Sequence, residues 1–522
     1  MEGDLMRKFL WGTAIVGLAL LVAAPAMALD FKFGAEYRVR FYTNSGGNQT
    51  QLGNDEGIGG TPVTGYSGNA GRQAGVQVRI RPRFDVSDDN GNMTATLRLE
   101  IGDIEWGGRG GAAGVSNGGP NGTPTTGESR VQNGGGGGLG VDGVNVETKW
   151  AYVDFASPFI PQYLRWRAGL QPWYENKGII VDDDAAGVRA YGKAGIVSYE
   201  VGWYRALNNC PANGTGNNAG CQTGGNNNLQ DNNYDYYEAK VGMNIAKWLN
   251  PSLYYIFGDN RATNTTIAGA TGGDPSFTKP VTANFFGIAL NGDFNFLRYD
   301  VDFVYGNANG AVDGNFTGGT GSRVKAQGWM LDGGVHIPVG PLLFHVVGSY
   351  ATGDKQNGGN SEALPWISPS WNGAGGLYEI IGSGGAFDQV DVTQDFPAGL
   401  WMLGAGVEYR PVKALWLRGM YGYAGFVSKR SNCAYTNGRT SGGCFGAAYA
   451  GKGYTAPTVV GGVVTAGGEG GMAGEAGLGH EISFRADYDL WTNFKVQGAA
   501  GWLLVPSGST VGEYVLQLLY SF

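Results

Sequence analysis

The chain has 522 residues with a formal net charge of −8, and only 15% of its residues are charged while 12% are aromatic. The acidic balance argues against a nucleic-acid partner, whose electrostatic footprint would be basic. Its 95 glycines far exceed the usual ~7%, but they follow no three-residue period, which excludes collagen.

Arg7 and Lys8 form a short basic region, Phe9 to Ala24 is apolar, and Ala26-Met27-Ala28 places small residues one and three positions before a cut. This layout predicts a secretory signal peptide over 1–28 and a mature chain, one domain over 29–522, starting near Leu29. The rival reading is a membrane anchor, which wants roughly 20 apolar residues, more than this run supplies. Glu2 and Asp4 are odd in a basic leader, so Met6 is an alternative start. No later stretch holds 18 uninterrupted apolar residues, so no helical span is available.

From Leu29 onward the dominant pattern is alternation. Phe31, Phe33, Ala35, Tyr37, Val39 and Phe41 fall on one face, and Lys32, Glu36, Arg38 and Arg40 on the other. A period of two is a strand period, because successive side chains point to opposite faces. The pattern recurs in Val76, Val78 and Ile80 against Arg79, Arg81 and Arg83; in Leu97, Leu99 and Ile101 against Arg98 and Glu100; and in Leu164, Trp166 and Ala168 against Arg165 and Arg167. Later sets are Ala239 to Ile245, Tyr299 to Tyr305, Trp401 to Tyr409 and Phe494 to Trp502.

Short connections carry turn chemistry at Asp89-Asn90-Gly91-Asn92, Pro158 to Pro161, Pro338 to Pro341 and Arg410-Pro411. Between them lie long Gly/Asn/Thr-rich segments at about 44–71, 107–142, 207–233, 260–281, 306–323, 353–396 and 428–479. Short turns at one end and long loops at the other are the arrangement of a transmembrane antiparallel β-barrel. The fold class is therefore all-β, with about 18 strands and 16 as the alternative. Trp106, Trp173, Trp203, Trp248, Trp416 and Trp491 near predicted strand ends suit an aromatic girdle. A soluble sandwich or propeller also alternates, but it does not call for aromatics at strand ends.

Cys210 and Cys221, and Cys433 and Cys444, form two pairs of equal spacing in Gly/Asn-rich loops. In an exported chain they read as two local disulfides, although four cysteines allow three connectivities. A metal site is the rival reading. It wants closer spacing or nearby histidine, and the only histidines are His336, His345 and His480. The last strand alternates through Tyr514, Leu516, Leu518 and Tyr520 to a terminal Phe522.

Several segments carry a family likeness: Phe31-Lys32-Phe33-Gly34, Arg79-Ile80-Arg81-Pro82-Arg83, Leu99-Glu100-Ile101-Gly102-Asp103, Ala151-Tyr152-Val153-Asp154-Phe155, Arg167-Ala168-Gly169-Leu170-Gln171 and Asp182-Asp183-Asp184-Ala185-Ala186-Gly187. Over roughly 29–205 the chain resembles the outer-membrane homotrimeric porins of sulfate-reducing and related bacteria. Tyr520-Ser521-Phe522 resembles the C-terminal insertion signal of such proteins. The resemblance implies a water-filled trimeric channel in outer-membrane lipid for small hydrophilic solutes, with no cofactor.

Arg38, Arg40, Arg79, Arg81, Arg83, Arg98, Arg165, Arg167 and Arg189 all lie opposite the apolar face. An arginine facing lipid costs about 2–4 kcal/mol at the midplane, so this set is expected to line the lumen. The same wall carries Glu36, Asp85, Glu100 and Glu147, which leaves open a purely structural set of cross-strand ion pairs. The sharper reading is a constriction field in which the loop from Trp173 to Asp184 folds inward and opposes the arginines with Glu175, Asp182, Asp183 and Asp184. The bland reading of the three aspartates is a solvated loop tip, with or without a bound divalent cation. Asn90-Gly91 predicts a type I′ turn pairing Asp89 with Asn92, which sets Arg81 opposite Glu100 and Arg83 opposite Arg98. A slip of one residue would turn the arginines into lipid.

No histidine has a Gly-x-Ser-x-Gly motif beside it, and the chain is read as no enzyme. The leading function is a passive porin. The alternatives are a barrel sheathing a partner such as an electron carrier, an adhesin displaying its loops, and, last, an importer, which would need a plug domain before the first strand.

Overall fold

The computed structural model describes residues 29–45, 73–108, 135–137, 146–208, 233–260, 277–312, 322–353, 360–362, 364–368, 370–382, 399–427, 458–460, 463–465, 477–504 and 510–522. The expected signal peptide and all four cysteines lie outside them.

Eighteen strands make the wall. They are β1 (Leu29–Ser45), β2 (Gln73–Asp88), β3 (Met93–Gly108), β4 (Val146–Ala156), β5 (Leu164–Glu175), β6 (Val181–Ala194), β7 (Val197–Asn208), β8 (Asn233–Met243) and β9 (Asn250–Asn260). The others are β10 (Phe277–Asp293), β11 (Arg298–Val312), β12 (Ser322–Val339), β13 (Leu342–Ala351), β14 (Leu400–Val412), β15 (Leu415–Phe426), β16 (Gly477–Trp491), β17 (Phe494–Leu504) and β18 (Thr510–Ser521). Each pairs antiparallel with the next, and β18 pairs with β1, from Ser45↔Gly512 to Glu36↔Ser521. The sheet is thus a closed barrel of 18 strands, which decides against 16. Closure removes the open sheet edges that a lipid environment cannot satisfy.

The alternation read from sequence sorts the side chains. Phe33, Tyr37, Phe41, Trp166, Val201, Leu253, Val301, Leu403 and Phe484 stand exposed on the outer face. Their neighbours in sequence turn inward. Aromatics crowd the short-turn end, where Phe159, Trp248, Phe296 and Trp491 are exposed, and a second set with Tyr237, Trp329, Tyr350 and Tyr514 marks the loop end. An apolar band between two aromatic girdles is the surface of a membrane-spanning barrel. Two of the expected girdle tryptophans do not belong to it. Trp173 is buried inside the barrel. Trp416 donates to Glu408 at 2.9 Å and carries the guanidinium groups of Arg418 and Arg485 over its ring, so it faces the lumen.

The β2–β3 register is the expected one, with Arg83 opposite Arg98 and Ile80 opposite Ile101. The turn type is not. Only Gly91 has positive φ, at 66°, and the turn closes through Gly91 N–H to Asp88 O at 3.0 Å. Asp88 Oδ1 also accepts from the Met93 N–H at 2.9 Å. That carboxylate holds a four-residue connection where a two-residue one was expected.

Two segments leave the wall and enter the barrel. The first is the β5–β6 hairpin. Neighbouring wall strands hold it only up to Ala151↔Leu170 on one side and Ala186↔Arg205 on the other, beyond which Gln171–Glu175 and Val181–Ala185 pair with each other and with no wall strand. The departure falls at Gly169 and Gly187, which are register partners. Gly169 has φ 128°, and a Cβ there would lie 2.2 Å from the Ala151 carbonyl oxygen; at Gly187 it would lie 2.2 Å from that of Trp203. Neither position admits a side chain. The second segment is a strap, 364–368 and 370–382, from the β13–β14 connection. It pairs with the hairpin tip through Ile367 N–H to Ile180 O (3.0 Å), Asp182 N–H to Ser368 O (2.7 Å) and Asn372 N–H to Lys177 O (2.8 Å).

Candidate functional site

The inserted segments carry apolar side chains that match an apolar inner wall. Trp173, Ile179, Ile180, Leu364, Trp371, Tyr378, Ile380 and Ile381 form one buried cluster with Tyr204, Tyr254, Phe285, Val304, Met330, Met402, Met420 and Leu503 of the barrel interior. Trp173 stacks on Tyr204 at 4.4 Å between ring centroids, and its indole N–H donates to Glu238 at 2.7 Å. Hairpin and strap therefore lie against the inner face of β7–β17.

Buried carboxylates fasten the strap. Glu481 of β16 accepts from the N–H groups of Glu379 (2.7 Å), Ile380 (3.2 Å) and Ile381 (2.6 Å). Asp332 of β12 accepts from the Trp371 indole at 2.9 Å and from the Ala374 N–H at 3.0 Å. Arg418 donates to Glu379 at 2.9 Å. Burial pushes the Glu379 carboxyl up from its ordinary range, against the pull of that guanidinium.

Asp332 also holds the hairpin. Lys177 Nζ lies 2.9 Å from Asp332 and 2.7 Å from Asp302, and it donates to Asp300 as well. Burial alone would favour the neutral amine. The carboxylates of Asp332, Asp302 and Asp300 outweigh burial and push the Lys177 pKa up, so the ammonium persists. Asp300 in turn meets His336 Nε2 at 2.7 Å, His336 Nδ1 meets His345 Nδ1 at 2.7 Å, and His345 Nε2 lies 3.4 Å from Glu408. The two histidines are register partners across the β12–β13 turn.

The hairpin turns inward, but its charges are arranged differently from the sequence expectation. The group that reaches the far wall is a cation, Lys177. Glu175 points away from the arginines and pairs with Lys240 at 2.6 Å, buried against the β8 wall. Asp183 accepts from Ser368 at 2.7 Å and Asp182 from Asn372 at 3.1 Å, which ties both to the strap. Only Asp184 faces the wall strand β4, where the Trp150 indole donates at 2.7 Å and Lys149 lies 3.3 Å away.

The arginines divide into two groups. Arg38, Arg40 and Arg79 are buried, not spread on an open surface; Arg40 donates to Gln517 at 3.1 Å. The rest are partly exposed and linked along the wall. Arg81 pairs with Glu100, Arg83 lies 2.8 Å from Asp85, and Arg165 and Arg167 share Asp154 at 2.8 Å each. Arg189 reaches Glu200 at 3.1 Å. Arg98 lies 4.4 Å above the Trp150 ring and Arg167 4.5 Å above Tyr152. Many of these arginines thus take part in ladders that brace the wall. Among these ion-paired arginines the most exposed are Arg83, at 46%, and Arg165, at 31%.

Tyr520 and Phe522 lie at the seam. Phe522 exchanges backbone hydrogen bonds with Ala35 at 3.0 and 3.1 Å, and its ring lies against Phe33, Tyr37 and Tyr520.

No family model matches the sequence, and no curated protein does. Among solved structures the chain is similar to Pseudomonas aeruginosa OccK9 (OpdG), at 9% identity and a TM-score of 0.49. It is also similar to a BenF-like porin from Pseudomonas fluorescens Pf-5, at 11% identity and 0.46, and to Pseudomonas aeruginosa OpdQ, at 10% and 0.44. Each comparison covers 94% of this chain and 98% of the other. The architecture itself is a closed barrel of 18 antiparallel strands with segments folded into its interior.

Proposed function

We propose that the chain forms a water-filled outer-membrane channel for the passive diffusion of small hydrophilic solutes and ions. One observation carries the reading: the lumen has two unlike sides. The inner face of β7–β17 carries the large apolar side chains together with buried polar anchors such as Asp332 and Glu481 and is covered by hairpin and strap, while the inner face of β1–β6 is lined with arginines and acids that are partly open to water. Barrels of 16–18 strands are wide enough to leave an aqueous channel, and the inserted segments narrow it toward the charged wall. The passage in this reading runs beside Arg83, Arg98 and Arg165, with Asp182 and the strap on its other side. Charge of opposite sign across a narrow gap filters solutes by sign and size. The occupied interior argues against a sheath around a partner protein, because the chain's own segments take up the needed volume.

The resemblance to homotrimeric porins of sulfate-reducing bacteria adds a trimer in outer-membrane lipid to this proposal, and a leader over 1–28 supplies the export route. The test is single-channel recording of the purified, refolded protein in planar bilayers. Discrete steps that scale with bulk salt, and a measurable reversal potential in a salt gradient, are expected. A folded barrel that gives no steps would refute the channel. Chemical cross-linking in native membranes checks the trimer.

A further inference from the structure

Three carboxylates meet one ammonium beside the lumen. Asp300 and Asp302 of β11 and Asp332 of β12 offer oxygens that all lie within 4.8 Å of one another. Hard oxygen ligands gathered this closely suit a divalent cation. The cation among them, however, is the Nζ of Lys177, delivered from the hairpin tip. The tip is shaped for that delivery: Asn176 and Lys177 both hold positive φ, at 27° and 57°. Such conformations cost non-glycine residues free energy and persist only where surrounding contacts impose them. The cluster is not sealed, since Asp300 is 31% exposed and Lys177 19%. One positive charge faces three negative ones where the hairpin tip meets the β11–β12 wall.

We propose that Lys177 is a specificity-determining residue, a tethered counter-cation that fills a three-carboxylate cation site between the wall and the tip of the hairpin that narrows the channel, and so keeps the channel from holding divalent cations from solution. The tether gives the ammonium a high effective concentration at the site, against which a free ion must compete. The role in permeation rests on the channel reading; occupation of the site by Lys177 does not.

The test uses Lys177→Met, which keeps the chain length and removes the charge. In bilayers, Ca²⁺ is expected to block this variant reversibly at concentrations about tenfold below any that affect the wild type, and its reversal potential should move toward cation selectivity. Lys177→Arg should behave as the wild type. A second readout needs no conduction. Tb³⁺ bound at the site would sit beside Trp371, whose indole donates to Asp332. Sensitised Tb³⁺ emission should appear in Lys177→Met, be absent from the wild type, and vanish when Asp300→Asn is added. Should Lys177→Met refold poorly, Ca²⁺ in the refolding buffer should restore the barrel. A folded Lys177→Met with neither block nor emission overturns the proposal. So does Asp300-dependent emission from the wild type, or refolding that ignores Ca²⁺. If the wild type does not conduct, the channel reading fails while the Tb³⁺ arm still decides this one.

Discussion

Replacing Glu481 should free the strap. Its carboxylate accepts from three consecutive backbone N–H groups, those of Glu379, Ile380 and Ile381, at 2.7, 3.2 and 2.6 Å, with no exposed surface. Glu481→Ala leaves three buried donors without partners, at about 1–3 kcal/mol each. These terms are not additive, and a reasonable total is about 3–6 kcal/mol, enough to shift a local opening equilibrium by orders of magnitude. Glu481→Gln separates the contributions. Both the Ile380 and Ile381 N–H groups point to Oε2, so an amide oxygen placed there keeps two bonds. The amide nitrogen then faces the Glu379 N–H donor to donor, and the loss falls to about 1–3 kcal/mol. Hydrogen exchange of residues 374–382 should therefore quicken in the order wild type, Glu481→Gln, Glu481→Ala. Open-channel conductance and noise should rise in the same order, while the barrel stays folded by heat-modifiability on gels. Identical exchange in all three proteins would show that apolar packing alone holds the strap and that the carboxylate is dispensable.

Neutralising Arg79, Arg81 and Arg83 together should shift the reversal potential toward cations; an unchanged value with normal folding would assign these residues to the wall and not the filter. Deleting Phe522 should lower outer-membrane levels more than it lowers the stability of barrel that does assemble. The change removes the backbone exchange with Ala35 and the ring contacts to Phe33 and Tyr37 at the seam, and normal levels of the truncated protein would refute the expectation. Peptide mapping without reduction should find Cys210 joined to Cys221 and Cys433 to Cys444, each bridge worth about 2–3 kcal/mol on the chain-entropy account. Cross-pairing between the two loops, or four free thiols, would contradict it.

The wall was legible because its signal is local. Arg79, Arg81 and Arg83 against Val78 and Ile80 fix which face meets lipid, and that parity limits the β2–β3 register to steps of two, so the expected pairing survives a four-residue connection. The inserted segments were less legible because their partners are distant. Lys177 stands between Asn176 and Gly178 with nothing local to reveal Asp300, Asp302 or Asp332. The outward alternation of Tyr299, Val301 and Phe303 puts Asp300 and Asp302 on the inner face, whereas no alternating set read from the sequence covers Asp332. A second signal was available in the loop compositions. The segment from Leu364 to Ile381 holds Trp366, Ile367, Trp371, Leu377, Tyr378 and Ile380 within a connection otherwise rich in Gly and Asn, and apolar residues in a loop need something to cover them. Gly404 and Gly422 are register partners on the inner wall. A Cβ at Gly404 would lie 1.5 Å from the Tyr378 hydroxyl oxygen, so these glycines mark where the strap rests, although no sequence rule names Tyr378 as its occupant.

The division of the lumen follows from what each half of the wall can tolerate. An inner face bearing Tyr204, Tyr254, Phe285, Met330 and Met420 loses about 1.5–3 kcal/mol per large side chain if it is left in water. An inner face bearing Arg83, Arg98 and Arg165 is penalised in the opposite sense if an apolar segment covers it without partners. Hairpin and strap, carrying Trp173, Ile180, Trp371 and Ile381, can therefore settle only against β7–β17. The water left over must lie along the arginine side. The side on which a solute passes is thus set by the apolar half of the barrel, although the residues it meets belong to the charged half. Exchanging the inward Met330 or Met420 for a charged residue would disturb permeation by displacing the strap, even though neither side chain lies on the proposed path.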